Sequence, residues 1–345
     1  MLYEDAFSGP SCIVPGIEPS FGEFVRHLAK KSRMNKVTCD LARGPDLPEP
    51  VKRHPGMISP DERMLLFMLA KKFYRGSGVI VDAGAFLGAS TAALAYGLRE
   101  NERVAEGKAP SRPIVSFERA VAGPNFARHA VKSGLPSISL DESFEQLLKK
   151  QIENFRDLVD LRVGNIMEYS GNDLGEIEIC FLDILKGETL ARHCVEIFFP
   201  KLTVGSFIIQ QDYFFDGLPF IKIFTEIFSD HLSFLGEVRS SAVFRVLKPL
   251  PPALVAMAFE QRPKHDLIAL HKQAEARTTS QMRQYLMRLS RCRLLATLGD
   301  VNEARETWQQ ADALFADLIF DGPGRYKPNL EWRINGLTQF LDRKS

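Results

Sequence analysis

The sequence contains no apolar run near the roughly 18 residues that a membrane-spanning helix requires, so no helical span is expected. Its first residues, MLYEDAFSGPSC, are acidic and lack a basic region followed by an apolar core, so no secretory leader is expected. The five cysteines, Cys12, Cys39, Cys180, Cys194 and Cys292, show no CxxC or paired spacing. That spacing argues against a zinc site or a disulfide framework and leads us to expect a reduced, cytoplasmic protein. Net charge is almost absent: 44 Lys and Arg stand against 43 Asp and Glu, a formal charge of +1. No global field therefore points to nucleic acid or to a membrane surface. The G-x-G-x-x-G pattern that seats a pyrophosphate is missing too, which counts against a nicotinamide dehydrogenase. What remains, 345 residues with 45% hydrophobic and 25% charged content, reads as a soluble globular protein of one large domain or two ordinary ones.

The chain is organised around VIVDAGAFLGASTAAL, residues 79–94. An apolar run, Val79-Ile80-Val81, ends on Asp82. A small-residue turn, Gly84-Ala85-Phe86-Leu87-Gly88, follows, and then Ser90, Thr91 and an alanine-rich helical pattern. The pattern predicts a buried strand, a tight glycine turn and a helix N-terminus. Glycine allows unusual backbone angles and close approach of a ligand, and the helix start offers free N–H groups. An acid at the strand end suits a cofactor with a cationic amino group better than one with a pyrophosphate. S-adenosylmethionine carries an ammonium and a sulfonium and no phosphate.

Before this stretch, residues 21–32 form a short helical pattern in a locally basic arm (Arg26, Lys30, Lys31, Arg33, Lys36), and a breaker-rich connector follows. The arm reads as a solvated face, or as a lid or dimer contact. Ser59-Pro60-Asp61-Glu62 is a strong helix start, with the helix running to about Phe73 and Gly76 and Gly78 ending it. After the organising stretch, strands and helices alternate. Strands are expected at 113–118, 158–163, 177–182, 205–209, 232–238 and 242–247, and helices at 121–133, 189–199 and 218–228. Such alternation predicts a doubly wound α/β fold: a mostly parallel seven-stranded sheet with an antiparallel closing strand. Polar residues close the central strands: Asp82, Glu118, Asn165, Asp183 and Asp212. In open α/β sheets ligands bind outside the carboxyl ends of the strands, so these groups are expected on one rim.

Lys248-Pro249-Leu250-Pro251-Pro252 marks a boundary. Beyond it, 267–274, 281–295 and 301–318 read as helices, giving a C-terminal helical extension. Gly299-Asp300 separates the last two as a hairpin, faintly like one tetratricopeptide unit. The stretch Arg262 to Arg293 is basic and reads as a solvated helix face, with an RNA or acidic-partner surface as the alternative. Three regions are expected: an N-terminal arm or lid at 1–57, a central domain at 58–248 and the helical extension at 249–345.

VDAGAFLGAS (81–90), SFE (116–118), VGN (163–165), FLDILK (181–186) and GSFIIQQD (205–212) together resemble class I S-adenosylmethionine-dependent methyltransferases. The resemblance covers roughly residues 58–247. It is nearest to small-molecule O-methyltransferases of the catechol type and of the macrolide-sugar and cephalosporin-pathway type. It implies a cofactor site in which Asp82 holds the methionine amino group and Gly84, Phe86 and Gly88 form the turn. Ser90 would lie near the carboxylate, Glu118 would take the ribose hydroxyls, and Asn165 and Ile166 would flank the adenine, with Asp183 at the edge. It also implies catalysis through Asp183 and Lys186, and a Mg²⁺ site at Asp183, Gln211 and Asp212. There the metal lowers the hydroxyl pKa and the lysine takes the proton. Gln211 departs from the family, which has a carboxylate there. His193, in the following helix pattern, reads as packed or solvated.

The implied function is methyl transfer to a hydroxyl of a small molecule, a phenol or a sugar, in a cytoplasmic enzyme that forms a monomer or a homo-oligomer. Two rivals stand beside it. One is a non-catalytic methyltransferase-fold module that binds a partner through its C-terminal helices. The other is an RNA methyltransferase, which the near-neutral charge and the lack of a stacking-aromatic motif make the weaker reading.

Overall fold

The computed structural model describes residues 47–124, 126–251, 261–278, 280–322 and 324–344. The expected helix at 21–32 and its basic arm lie outside them.

A short helix α1 (Glu49–Arg53) leads to α2 (Pro60–Met68). Ser59 caps α2 as its local chemistry dictates. The Ser59 hydroxyl accepts the Glu62 N–H at 3.2 Å, and the Glu62 carboxylate accepts the Ser59 N–H at 2.9 Å. This reciprocal capping box typically contributes about 1 kcal/mol. The helix continues as a π-type turn over Leu69–Phe73 and ends where expected, before Gly76.

Strand β1 (Val79–Ala83) then enters the core, followed by α3 (Ala89–Arg99) and the short α4 (Glu102–Ala105). Next come β2 (Ile114–Glu118), α5 (Phe126–Lys132), α6 (Glu145–Gln151), β3 (Val159–Val163) and β4 (Ile177–Leu182). The domain continues with α7 (Glu188–Phe198), β5 (Leu202–Gln210), α8 (Pro219–Ile227), β6 (Leu232–Val238) and β7 (Ser241–Val246).

The described strands make one seven-stranded sheet in the order β3-β2-β1-β4-β5-β7-β6. Strands β1 to β5 pair in parallel, and β7 runs antiparallel to both β5 and β6. Both faces are covered, so the strands read as continuous apolar runs. Ile80, Ile179, Phe181 and Ile209 pack under α2 and α3, while Val81, Cys180, Leu182 and Ile208 pack under α7 and α8. The chain reverses direction across the sheet between β1 and β4, which makes their carboxyl ends the topological switch point. This is the architecture expected of the methyltransferase fold.

Two expected elements differ. The helix expected at 121–133 spans only Phe126–Lys132, because Val121 instead forms an antiparallel bridge with Ser143 and Ala120 takes a left-handed φ of 55°. The helix expected at 301–318 breaks at Phe315 into α11 and α12, described next.

The C-terminal region comprises α9 (Lys264–Arg277), α10 (Gln281–Thr297), α11 (Val301–Leu314), α12 (Ala316–Ile319) and α13 (Pro328–Asp342). It packs on the sheet domain: Leu267, Ala274, Met287 and Leu294 belong to the same core cluster as α8. Lys264 and Lys272 of the basic stretch are exposed, but its arginines from Arg277 to Arg293 are not a solvated face. Arg277 meets Glu226 of α8 through contacts of 2.9 to 3.1 Å, and Arg283 pairs with Glu237 of β6. Arg288 and Arg291 both bind Glu275, at 2.9 and 2.7 Å. These arginines dock helices to one another and to the domain. Among the described residues no helix is long and apolar enough to cross a membrane.

Candidate functional site

The rim at the carboxyl ends of β1, β2, β4 and β5 gathers most of the residues singled out in the sequence. Asp82 lies beneath it, fully buried. Its Oδ2 accepts the Thr91 hydroxyl at 2.6 Å and the Ser116 hydroxyl at 3.2 Å. Its Oδ1 is buried with no protein partner. Burial raises the Asp82 pKa, and the neighbouring hydroxyls, Thr91 first, oppose that shift.

The turn above Asp82 is held in left-handed conformations, with φ of 104° at Gly84, 49° at Phe86 and 90° at Gly88. A side chain at Gly84 would come within 2.9 Å of Ile184 and 3.0 Å of the Asp183 carbonyl. At Gly88 it would meet Ile152 at 2.6 Å and the His54 ring at 3.1 Å. Phe86 has a Cβ and so adopts its φ at a cost of about 1–2 kcal/mol. Glu118 offsets that cost: its Oε2 accepts the Phe86 N–H at 2.7 Å. Its Oε1 accepts the N–H of Ala120, the other left-handed residue beside it, at 2.9 Å. An ionised carboxylate has about four acceptor positions, so Glu118 keeps capacity for a ligand's hydroxyls.

Asn165 follows β3 and caps the turn Ile166–Glu168 by accepting the Met167 N–H at 3.2 Å. His193 on α7 donates from Nε2 to the Ile166 carbonyl at 2.9 Å. His193 is therefore a packed residue that fixes the Asn165 loop, a contact its position in the sequence did not reveal.

At the ends of β4 and β5 the structure brings Asp183, Lys186, Gln211 and Asp212 together. Lys186 Nζ lies 2.9 Å from Asp183 Oδ1, 2.5 Å from Asp212 Oδ2 and 3.5 Å from Gln211 Oε1. Burial pushes the Asp183 pKa up to about 7; Lys186 works against this, and Asp212 and Glu62 add to it. Burial alone would lower the Lys186 pKa, but the two aspartates overcome it and hold the ammonium above its ordinary value. Among the described residues no three His, Cys, Asp or Glu side chains converge as a metal-binding group. The residues at this corner that could hold a metal are Asp183, Asp212 and Gln211, two carboxylates and one amide oxygen beside an ammonium.

Several residues at this rim were not singled out from the sequence. Glu62 reaches the site from α2, accepting the Ser240 hydroxyl at 3.0 Å and the Ser241 hydroxyl at 2.7 Å. Lys222 is fully buried under the loop after Asp212, with contacts of 2.5 Å to the Phe215 carbonyl and 3.0 Å to that of Leu218. Asp216, in the same loop, pairs with Arg293 and Arg333 of the C-terminal helices. Elsewhere, an open groove of about 420 Å³ lies among α9, α10 and the end of α11, lined by Lys272, Gln284, Arg288, Arg291 and Phe315. Two of its arginines are already engaged by Glu275, and it is not part of the rim.

No protein-family model matches this sequence, and no curated protein matches it. Solved structures do align. The O-methyltransferase NovP aligns at 12% identity over 66% of this chain and 97% of that one, with a TM-score of 0.41. The calicheamicin methyltransferase CalS11 aligns at 19% identity over 66% and 93%, with a TM-score of 0.42. An O-methyltransferase from Bacillus cereus, solved in complex with SAH, aligns at 16% identity over 68% and 94%, with a TM-score of 0.36. The fold assignment stands on the strand order and the switch point of this chain: it resembles the class I methyltransferases in architecture.

Proposed function

We propose that this protein is an S-adenosylmethionine-dependent enzyme that methylates a hydroxyl of a small molecule, a phenol or a sugar. The observation that carries the proposal is the placement of Glu118. A partly exposed carboxylate closes β2 at the switch point, clamps the turn after β1 through Phe86, and keeps free acceptor positions toward the rim. That is where a ribose diol would be recognised. The orphaned Asp82 oxygen and the Asn165 turn lie at the ends of the neighbouring strands and fit the methionine and adenine ends.

When bound, the cofactor supplies an electrophilic methyl group on a sulfonium. The chain's own residues orient the acceptor and manage its proton. Asp183 and Lys186 face the rim together, so the acceptor hydroxyl can pass its proton to the Asp183 carboxylate as its oxygen takes the methyl, while the ammonium meets the negative charge that grows on that oxygen. The ion pairing of the C-terminal arginines favours a small-molecule acceptor over RNA.

Calorimetric titration with S-adenosylmethionine tests the reading. Micromolar binding is expected, with a tenfold or greater loss, about 1.4 kcal/mol, in Glu118→Gln. No binding to the folded wild-type protein would overturn the activity and leave the non-catalytic partner-binding reading.

A further inference from the structure

We infer that the groove among the C-terminal helices docks a peptide segment of a partner protein that carries an acidic side chain next to an apolar one. The groove lies apart from the rim, and the inference does not depend on the methyl-transfer reading.

The helices build the groove by their spacing. Gln281, Gln284, Arg288 and Arg291 follow one another on α10 at intervals of three, four and three, so they share one face. Lys272 and Glu275, three apart on α9, line it from the neighbouring helix. Leu314 and Phe315 close it at the end of α11.

Its charge is one-sided. Three cations, Lys272, Arg288 and Arg291, stand against one acid, Glu275, a surplus of two positive charges. The whole chain carries a formal charge of only +1, so the surplus is local. Glu275 Oε1 accepts from Arg288 Nε at 2.9 Å and its Oε2 accepts from Arg291 Nη1 at 2.7 Å. One carboxylate thus holds two guanidiniums side by side. A guanidinium has five N–H donors, so both keep donors for a second carboxylate, and the pair is already fixed in place to receive it. Lys272 is exposed and has no ion-pair partner among the described residues.

Beside the cations the wall turns apolar. Leu314 is 61% exposed, and an apolar side chain laid over it would take that surface out of water. Gln284 gives an amide N–H to the Thr278 carbonyl at 2.9 Å and keeps its own carbonyl oxygen to accept. Gln281 is exposed and offers both a donor and an acceptor. These amides match the N–H and C=O of a peptide backbone. RNA fits less well. Glu275 would oppose a phosphate track, and the aromatic ring at the groove, Phe315, is 7% exposed with the Arg288 guanidinium 5.6 Å from its centre, so no base can stack on it.

A hexapeptide display library selected against the whole protein tests the inference. Selected sequences should place Asp or Glu next to Leu, Ile or Phe. A fluorescein-labelled copy of the most enriched peptide should bind saturably by anisotropy and more weakly as salt rises. Lys272→Glu and Leu314→Ser change exposed side chains and leave the fold intact. Each should weaken binding at least tenfold, as should Gln in place of the peptide's acid. A library that yields no acidic–apolar sequence overturns the inference, and so does peptide binding that neither variant weakens. Displacement by inorganic phosphate as readily as by unlabelled peptide would reduce the groove to an anion site. Tighter binding of poly(U), lost in Lys272→Glu, would make it an RNA surface. Either of these results also overturns the inference.

Discussion

Glu118 accepts the backbone N–H of Phe86 at 2.7 Å, so the carboxylate that closes one strand holds the turn that leaves its neighbour. The same carboxylate holds Ala120 through its other oxygen. Both N–H groups belong to residues with left-handed backbones, which need an external partner to stay in place. Glu118→Ala should therefore lower stability by about 1–3 kcal/mol through the two unmatched donors. Glu118→Gln keeps one acceptor and should lose less than half of that in urea denaturation. If Gln and Ala variants unfold alike, the clamp is not what Glu118 contributes.

Asp82 shows the opposite balance. It is fully buried, gathers the hydroxyls of Thr91 and Ser116 on one oxygen, and leaves the other bare. Asp82→Asn removes a charge that burial disfavours while keeping an acceptor for both hydroxyls. It should stay within about 1 kcal/mol of wild type. Asp82→Ala strands both hydroxyls over a cavity and should cost about 2–4 kcal/mol. Melting temperatures of the two variants decide the matter; Asn falling as far as Ala would show that the ionised form is required.

The sheet was legible because a strand buried on both faces must be apolar along its length, as Ile177 to Leu182 is apart from Glu178. The start of α2 was legible because Ser59, Pro60 and Glu62 act on one another locally. The rim acids were legible because strand ends and ligand sites coincide in this fold class. What was not legible depends on contacts between distant segments. Glu62 and Ser240 are 178 positions apart, and nothing near either residue announces the other. The basic stretch displayed its charge but not its partners, since Glu226 and Glu237 sit on other elements. The segment before Phe126 carries Gly123-Pro124, a breaker pair visible in the sequence, and a bridge from Val121 to Ser143 takes its start out of the helix. Helix α13 is different: Pro328 at its start and the spacing of Leu330, Ile334, Leu337 and Leu341 were visible signals that the sequence reading passed over.

His54 should make stability depend on acidity. Burial, with help from Arg63, lowers its pKa from 6.5 to about 4, while its Nε2–H donates to the Leu87 carbonyl beside the glycine turn. In the unfolded chain His54 takes a proton near 6.5, but the folded chain resists until about 4. The contribution is therefore fully present above pH 6.5 and is lost as pH falls toward 4. With partial exposure discounted, the loss should be about 1–2 kcal/mol. Denaturation series at pH 7 and pH 4.5, with His54→Gln as the reference, check this. The variant should show a flatter dependence, and identical slopes would rule out His54 as the source.

Asp216 ties the C-terminal helices to the candidate site. It is 1% exposed, pairs with Arg293 on α10 and Arg333 on α13, and lies four residues beyond Asp212 in the same loop. Trp332 stacks on Phe215 at 6.0 Å and Arg283 lies over Phe214, so two further contacts from these helices brace that loop. Removing both arginines leaves a buried carboxylate without its two ion-pair partners, with only the buried Lys222 as a nearby positive charge, and breaking a buried ion pair typically costs about 3–5 kcal/mol. Arg293→Met/Arg333→Met should lose that much stability and also weaken ligand binding at the rim, because the loop carrying Asp212 is no longer anchored. Adding Asp216→Leu removes the stranded charge and should recover most of the stability. It should not recover the ligand affinity, because an apolar contact restores packing without restoring the loop's polar anchor. Recovery of both properties together would mean that the helices support the fold alone and have no part in shaping the site.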